Sequence, residues 1–573
     1  MVTKTIRSGA PTRRNASPAG PAAHAPSPAS QSAPAPSSAP SAAGGAEAVL
    51  QAIESVLPMA QQAAGEAAGA ALHAARSLGR QVSRTAGGML GLTGERMSRV
   101  DTAWLRMDNP HNLMVILGVW TLVPRVDYET VCARIAERLL KYPRFRQRVV
   151  EDAAGATWVD VPDLDIHQHV VRERLPRVAR GKEQAALQAL VGRLAMEPLD
   201  HRRPLWKMHL IENYRDEQGR EASALVVRIH HCIADGIALI SVTMSLVDGG
   251  AAPPRRRKAA AASAQGAEDW IAHALLKPLT DMAVKALDAA GDGAAASLHL
   301  LRKPAQGVEG TLDAAADAAR LAVQVFNDAA SLALMPDDSK TSLKGKAGRA
   351  KRVAWCAPLP LDDVKAVGRA LRASINDVLL SCVAGAIGAY LRERGEDVAG
   401  KEIRAMIPVN LRPIEEAWKL GNRFGLVPLV LPIGIDNPVE RLYEVRRRMR
   451  ELKGSTQPLL AFGLLAVAGL LIKPAQDAML SLFSRKTTAV MTNVPGPREK
   501  LQFCGATLEQ TMFWVPQSGD IGLGVSILSY GGGVQFGVIG DTHLCPDPQA
   551  IIDQFHPEFA KLTTLTLMLP WEG

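Results

Sequence analysis

At 573 residues, 47% of them hydrophobic and 21% charged, the chain is too long for one hydrophobic core, so two domains with extensions are expected. Its six cysteines are scattered and never form a C-x-x-C pair, which argues against a disulfide framework or a zinc ribbon and fits a reducing compartment. The formal charge of +9 suits an anionic partner, but aromatic residues make up only 4% of the chain, too few for base-stacking platforms, and no nucleic-acid module is recognisable.

The chain opens with Met1-Val2-Thr3-Lys4, then Arg7, Arg13 and Arg14, then Pro, Ala and Ser. It lacks the apolar segment of a secretory signal, so export is not expected. Residues 1–45, rich in Ala, Pro and Ser, cannot bury enough apolar surface to offset chain entropy and read as a disordered tail. In the Ala-rich stretch 46–95, Val49, Ile53, Val56 and Leu57 fall at helical spacing, which predicts a helical extension.

Residues 96–250 read as a first mixed domain. Strands are predicted at 113–123, 204–212 and 222–230, and helices at 128–140 and 184–195. The last two strands, joined by the polar turn 213–220, form a hairpin followed by a helix from about Gly236. Residues 251–350 break the pattern with Pro253-Pro254-Arg255-Arg256-Arg257-Lys258 and further Ala-rich helices. They read as a helical insertion, with Leu312, Ala316, Ala319, Val323 and Phe326 on one stripe.

A second domain is predicted over 351–573, with helices at 361–371 and 376–394 and strands at 403–409, 426–431, 522–528 and 533–539. Its apolar run 458–472 is about 15 residues long, short of the roughly 20 that cross a bilayer, and reads as a buried or interfacial helix.

The chemistry centres on His230-His231-Cys232-Ile233-Ala234-Asp235-Gly236, at the end of a buried strand and before a helix. Adjacent strand residues face opposite ways, so only one histidine meets a given cavity. That weakens a shared-metal reading, for which two ligands must converge, and suits a single general base. Asp235 either orients the ring or fixes the loop; the sequence leaves both open.

The string H-H-x-x-x-D-G and the stretches around it resemble the bacterial wax ester synthase/acyl-CoA:diacylglycerol acyltransferase family over residues 96–570. Those stretches are Met97-Ser98-Arg99-Val100-Asp101, Pro204-Leu205-Trp206, Met335-Pro336-Asp337, Ile375-Asn376-Asp377-Val378, Pro408-Val409-Asn410-Leu411-Arg412, Gly421-Asn422, Asn493-Val494-Pro495-Gly496-Pro497 and Leu528-Ser529-Tyr530.

The resemblance implies an α/β fold: two chloramphenicol-acetyltransferase-like sandwich domains with mixed sheets and a tunnel between them. It implies His231 as general base, with His230 beside it, and Asp235 holding the loop in shape. Asn376 matches a family Asn near the site, where it would donate to a developing oxyanion or cap its helix. Gly236, Asn493, Pro495 and Gly496 are expected to be structural; Pro495 to Pro497 reads as a rigid turn in which Gly permits positive φ. Trp206 is expected to be core packing. One departure is the strand Gly522-Leu523-Gly524-Val525-Ser526-Ile527-Leu528, which lacks the Asn the family usually carries ahead of its Ser-Tyr motif.

The implied reaction moves a long-chain acyl group from acyl-CoA to diacylglycerol or a fatty alcohol, without a metal or bound cofactor, acyl-CoA being a substrate. The implied setting is cytoplasmic, peripheral to the inner membrane surface or a lipid droplet. Competing readings are a condensation-type or polyketide-associated acyltransferase, for which no carrier domain is apparent, and a non-catalytic lipid-droplet protein.

Overall fold

The computed structural model describes residues 94–152, 155–250, 337–411, 419–453 and 484–568. The expected tail, most of the 46–95 extension, the Arg255–Lys258 cluster, the stripe through Val323 and Phe326, and the apolar run 458–472 lie outside the described residues.

In chain order the first half contains β1 (Gly94–Arg96), α1 (Arg99–Arg106), β2 (Val115–Val123), α2 (Tyr128–Arg138), β3 (Gln147–Asp152), β4 (Gly155–Asp160), β5 (Val170–Glu173), α3 (Glu183–Leu194), β6 (Trp206–Arg215), β7 (Glu221–His230) and α4 (Gly236–Leu246). The second half contains β8 (Lys351–Trp355), β9 (Leu359–Pro360), α5 (Leu361–Ala370), α6 (Ile375–Glu393), β10 (Ile403–Asn410), β11 (Phe424–Leu431), α7 (Pro438–Lys453), β12 (Ala489–Pro495), β13 (Gln502–Phe503), β14 (Ala506–Trp514), β15 (Leu523–Tyr530), β16 (Gly533–Asp541) and α8 (Pro548–Leu567).

Among the described residues these strands make a six-stranded sheet ordered β13-β14-β2-β7-β6-β5, a seven-stranded sheet running β11-β10-β12-β15-β16-β8 with β9 beside β16, and a three-stranded sheet β1-β4-β3. Both large sheets mix parallel and antiparallel pairs. β2 and β7 read as almost unbroken apolar runs because both of their faces are covered. One face packs Trp120, Leu225 and Ile229 into the core that includes Val131 and Ile135 of α2 and Val242 of α4. The other packs Leu117, Val119 and Val226 against Val353, Trp355 and Ile539 of the second half.

Two boundaries differ from expectation. Residues 337–350 are not part of an insertion: Asp338 accepts the Arg404 N–H at 2.9 Å and the Thr488 hydroxyl at 2.5 Å, which ties this segment to the second half's sheet. The second half is also not continuous from 351 to the end. Its β14 leaves to pair antiparallel with β2, Trp514 opposite Leu117 and Thr507 opposite Val123. β2 is apolar on both faces and would otherwise carry an open edge. The exchange makes the described residues one compact unit.

α6 is the one helix among the described residues long and apolar enough to cross a bilayer, at 19 residues, yet 78% of its apolar window is buried inside the protein. It forms the centre of the second half's core with Phe555 and Leu562 of α8 and Leu442 and Val445 of α7.

Candidate active site

β7 ends at His230, and its two neighbouring segments fix where the chain leaves it. The His230 N–H donates to Leu205 O at 2.9 Å, and the His231 N–H donates to Met114 O at 2.7 Å. Leu205 is held in turn by Trp206, which is 1% exposed and donates its indole N–H to Phe145 O at 2.9 Å. Pro204-Leu205-Trp206 therefore sets the end of the strand from within the core.

The two imidazoles then part, as strand alternation requires. His230 Nδ1 accepts the Cys232 N–H at 3.2 Å, which leaves the ring proton on Nε2, 3.4 Å from Asp108 Oδ2. Burial alone would raise the Asp108 carboxyl, but His230 beside it and the Met114 N–H that it accepts hold it below its usual value. His230 Nδ1 is thereby committed to the turn, and Nε2 faces Asp108.

His231 faces the other way. Its ring stacks on Trp104 with centroids 4.3 Å apart and planes 16° from parallel, and Phe424 lies tilted at 5.4 Å. The residue is 3% exposed, and its Nδ1 is enclosed without a hydrogen-bond partner. Burial pushes its pKa down to about 4; its own carbonyl opposes that shift, neighbouring His230 adds to it, and the Asn422 amide opposes it. At neutral pH the ring is uncharged, and the Nε2 edge is the one left to meet a substrate.

Leu225, Val227 and Ile229 lie on one face of β7. With Ile135 of α2 and Leu239 and Val242 of α4 they line an apolar cavity of about 40 Å³.

The second half completes the site through residues 421–424. Gly421 bridges Ala234, its N–H donating to Ile233 O at 3.0 Å. Gly421 sits at φ +99°, left-handed backbone that favours glycine. Asn422 donates Nδ2 to Asp101 Oδ1 and to His231 O, both at 2.7 Å, and its N–H reaches the same Asp101 oxygen at 3.0 Å. Asp235 caps α4, Oδ1 accepting the Ala238 N–H at 2.9 Å, while Oδ2 accepts the Arg423 N–H at 3.0 Å. Those contacts give Asp235 the work of fixing the loop and docking the second half onto it. Gly236 is the first residue of α4 and has open space where a Cβ would be.

Asn376 does not cap α6. Ser374 is the cap, with Asp377 closing a capping box. Asn376 Oδ1 instead accepts from Asn493 Nδ2 at 2.9 Å. Gly496 follows Pro495 without a positive φ; an added Cβ there would lie 2.5 Å from Ser529 O, which accepts the Gly496 N–H at 2.8 Å. Close approach, not left-handed backbone, calls for glycine.

Sequence reasoning singled out the His-His loop but not what surrounds it. Asp101 and Gly421-Asn422 were visible as motifs without a role, and they prove to be one network around His231. Trp104, Asp108 and Phe424 gave no signal: an apolar ring next to an imidazole looks like any core residue, and a lone Asp like any loop residue.

Residues 97–379 match the wax ester synthase/diacylglycerol acyltransferase catalytic domain, and residues 420–563 match the WS/DGAT C-terminal domain. The chain is 27% identical over 480 residues to a probable diacylglycerol O-acyltransferase of Mycobacterium tuberculosis, covering 82% of this chain and 96% of that one. Its fold resembles a wax ester synthase/diacylglycerol acyltransferase from Marinobacter aquaeolei VT8, with a TM-score of 0.56 and 20% identity over 83% of this chain and all of that one. The first condensation domain of the calcium-dependent antibiotic synthetase shares the fold at a TM-score of 0.52 and 13% identity, over 83% of this chain and 97% of that one.

Proposed function

Because this chain belongs to the wax ester synthase/diacylglycerol acyltransferase family, we propose that it esterifies diacylglycerol or a long-chain alcohol with an acyl group from acyl-CoA, with His231 as general base. The observation that carries the reading is the placement of His231: stacked on Trp104 and enclosed at Nδ1, with burial holding its pKa low enough for the ring to accept a proton at neutral pH. Nε2 takes the proton of the substrate hydroxyl, and the oxygen attacks the thioester carbonyl carbon. The C–S bond then breaks, and the leaving thiolate recovers the proton from the imidazolium. Carbon is already activated as a thioester, so the reading calls on no metal or bound cofactor.

Trp104 and Phe424 exclude water from the base and keep a low-dielectric environment in which hydrolysis of the thioester is disfavoured. The apolar cavity lined by Leu225, Val227 and Ile229 supports an aliphatic substrate. Asn493 donates to the Asn376 carbonyl oxygen, which leaves the Asn376 amide N–H₂ as the donor this reading assigns to the oxyanion.

Diacylglycerol and long alcohols reside in membranes, so the protein works peripherally at a bilayer or lipid-droplet surface, helped by its charge of +9. Purified protein should release thiol from palmitoyl-CoA only when alcohol or diacylglycerol is present. Thiol release without either acceptor, or none with both, overturns the reading. The extracted lipid, scored for wax ester against triacylglycerol, identifies the preferred acceptor.

A further inference from the structure

We propose that Asn422, supplied by the second half of the chain and anchored by Asp101, accepts the Nδ1 proton of His231 and so holds the imidazole with Nε2 toward the substrate. The inference rests on the reading of His231 as the base and adds what orients it.

Both hydrogens of the Asn422 amide are spoken for, one by Asp101 Oδ1 and one by His231 O, each at 2.7 Å. The main-chain N–H of Asn422 reaches Asp101 Oδ1 as well, at 3.0 Å. This carboxylate therefore fixes which way the amide is turned, because only the N–H₂ group can face an acceptor. The amide oxygen is left on the opposite side, buried and without a hydrogen-bond partner in a residue that is 4% exposed. His231 Nδ1 is buried and without a partner too.

An orphaned acceptor and an orphaned nitrogen thus belong to two residues already joined by a hydrogen bond. Leaving either one unmet is costly, and pairing them satisfies both at once. The amide also counters part of the effect of burial on the protonated ring, as an acceptor at Nδ1 should. The other titratable neighbours are otherwise engaged: His230 with Asp108, Asp235 with the backbone of Ala238 and Arg423, and Asp101 with Asn422.

The consequence is an arrangement in which neither half holds a competent base by itself. β7 and α1 provide the ring and its stacking partner, and the segment 421–424 provides the group that fixes its tautomer.

The test uses the full chain labelled with ¹⁵N-histidine, the His231 signals being those absent from His231→Gln. The wild-type spectrum should show His231 with its proton on Nδ1, and Asn422→Ala should shift it toward the Nε2–H form. The same variant should lose about tenfold or more in kcat while KM for acyl-CoA changes less than about threefold, as for a group that acts only through the base.

Asp101→Asn keeps an oxygen for the Asn422 main chain but frees the amide, and should move tautomer and kcat in the same direction by less. It also decides the matter if Asn422→Ala does not fold. An Nε2–H tautomer in the wild type, or an unchanged tautomer in both variants, overturns the inference. Full activity in His231→Gln overturns instead the reading on which it rests.

Discussion

His230 and His231 are neighbours in the chain and strangers in the fold. Around His230 the surroundings are polar and closed: a main-chain N–H on one nitrogen, a carboxylate 3.4 Å from the other. Around His231 they are aromatic and incomplete: Trp104 stacked on one face, Phe424 tilted beside it, and a sealed Nδ1. A strand that alternates its side chains gives one histidine to the scaffold and the other to the chemistry.

The largest expected effect follows from replacing the second histidine. His231→Ala should lower turnover by about 10²–10⁴-fold, the usual cost of losing a general base. Its melting temperature should stay close to that of the wild type. Steady-state rates with palmitoyl-CoA and a soluble alcohol measure it; a loss equal to that of His230→Ala would erase the contrast between the two sites.

The pH profile sharpens the same contrast without a mutation. Burial lowers the His231 pKa to about 4, so the ring is neutral and able to accept a proton down to well below pH 6. A histidine at its ordinary value near 6.5 would be almost wholly protonated at pH 5, so kcat/KM there should be about thirtyfold higher than such a residue would allow.

The stability consequence has a definite sign. Between about pH 4 and 6.5 the unfolded chain binds a proton at this position that the folded one does not, so stability rises with pH across that window and falls as acid is added. An acid limb near pH 6.5 in kcat/KM of the wild type would show that the ring is wetter than its packing implies.

Asp235→Ala should act on both stability and rate, because Asp235 connects the loop to α4 and to the second half. Loss of the cap costs about 0.5–2 kcal/mol. Release of the Arg423 N–H adds to that by loosening the segment that carries Asn422. Activity should fall about tenfold, together with a lower melting temperature. Native melting with no activity would instead place Asp235 in the chemistry.

How much of this was legible in the sequence differs between the two sides of the site. The hairpin of β6 and β7 and the helix after it were readable from periodicity, because both strands are long, apolar and joined by a polar turn. The helices at Tyr128–Arg138, Glu183–Leu194 and Ile375–Glu393 emerge within two residues of expectation.

β14 was not readable as a partner of β2, since a strand carries no mark of the sheet it will join, and the two lie almost 400 residues apart in the chain. α7, which carries Glu444 and Arg446-Arg447-Arg448, and α8, with Pro557 inside it, were hidden by charge and by a residue that ordinarily ends a helix. In the site, a heptapeptide disclosed His231, but its aromatic walls and Asn422 come from residues far away in the chain. Only the fold brings them together.

The smallest effect belongs to His230→Ala, and its size follows from what the ring touches. His230 makes no contact that requires proton exchange with a substrate: Nδ1 holds the turn at Cys232, and Nε2 faces Asp108, which also accepts the Met114 N–H. Met114 is the residue whose carbonyl positions the His231 backbone, at 2.7 Å, so removing His230 acts on the base through this chain of supports and by taking away a neighbour that lowers its pKa. A hydrogen bond of this kind contributes about 1 kcal/mol net, which corresponds to a rate loss of roughly fivefold if all of it appears as misplacement of His231. Asp108 would lose a neighbour that holds its carboxyl below the usual range, so the variant should also lose stability at neutral pH, where the carboxylate is charged. Asp108→Asn in the His230→Ala background removes that charge and should recover stability without recovering the rate. Thermal melts and steady-state rates on the single and double variants test the pair; a loss of more than about 10²-fold from His230→Ala alone would mean that the first histidine takes part in proton transfer after all.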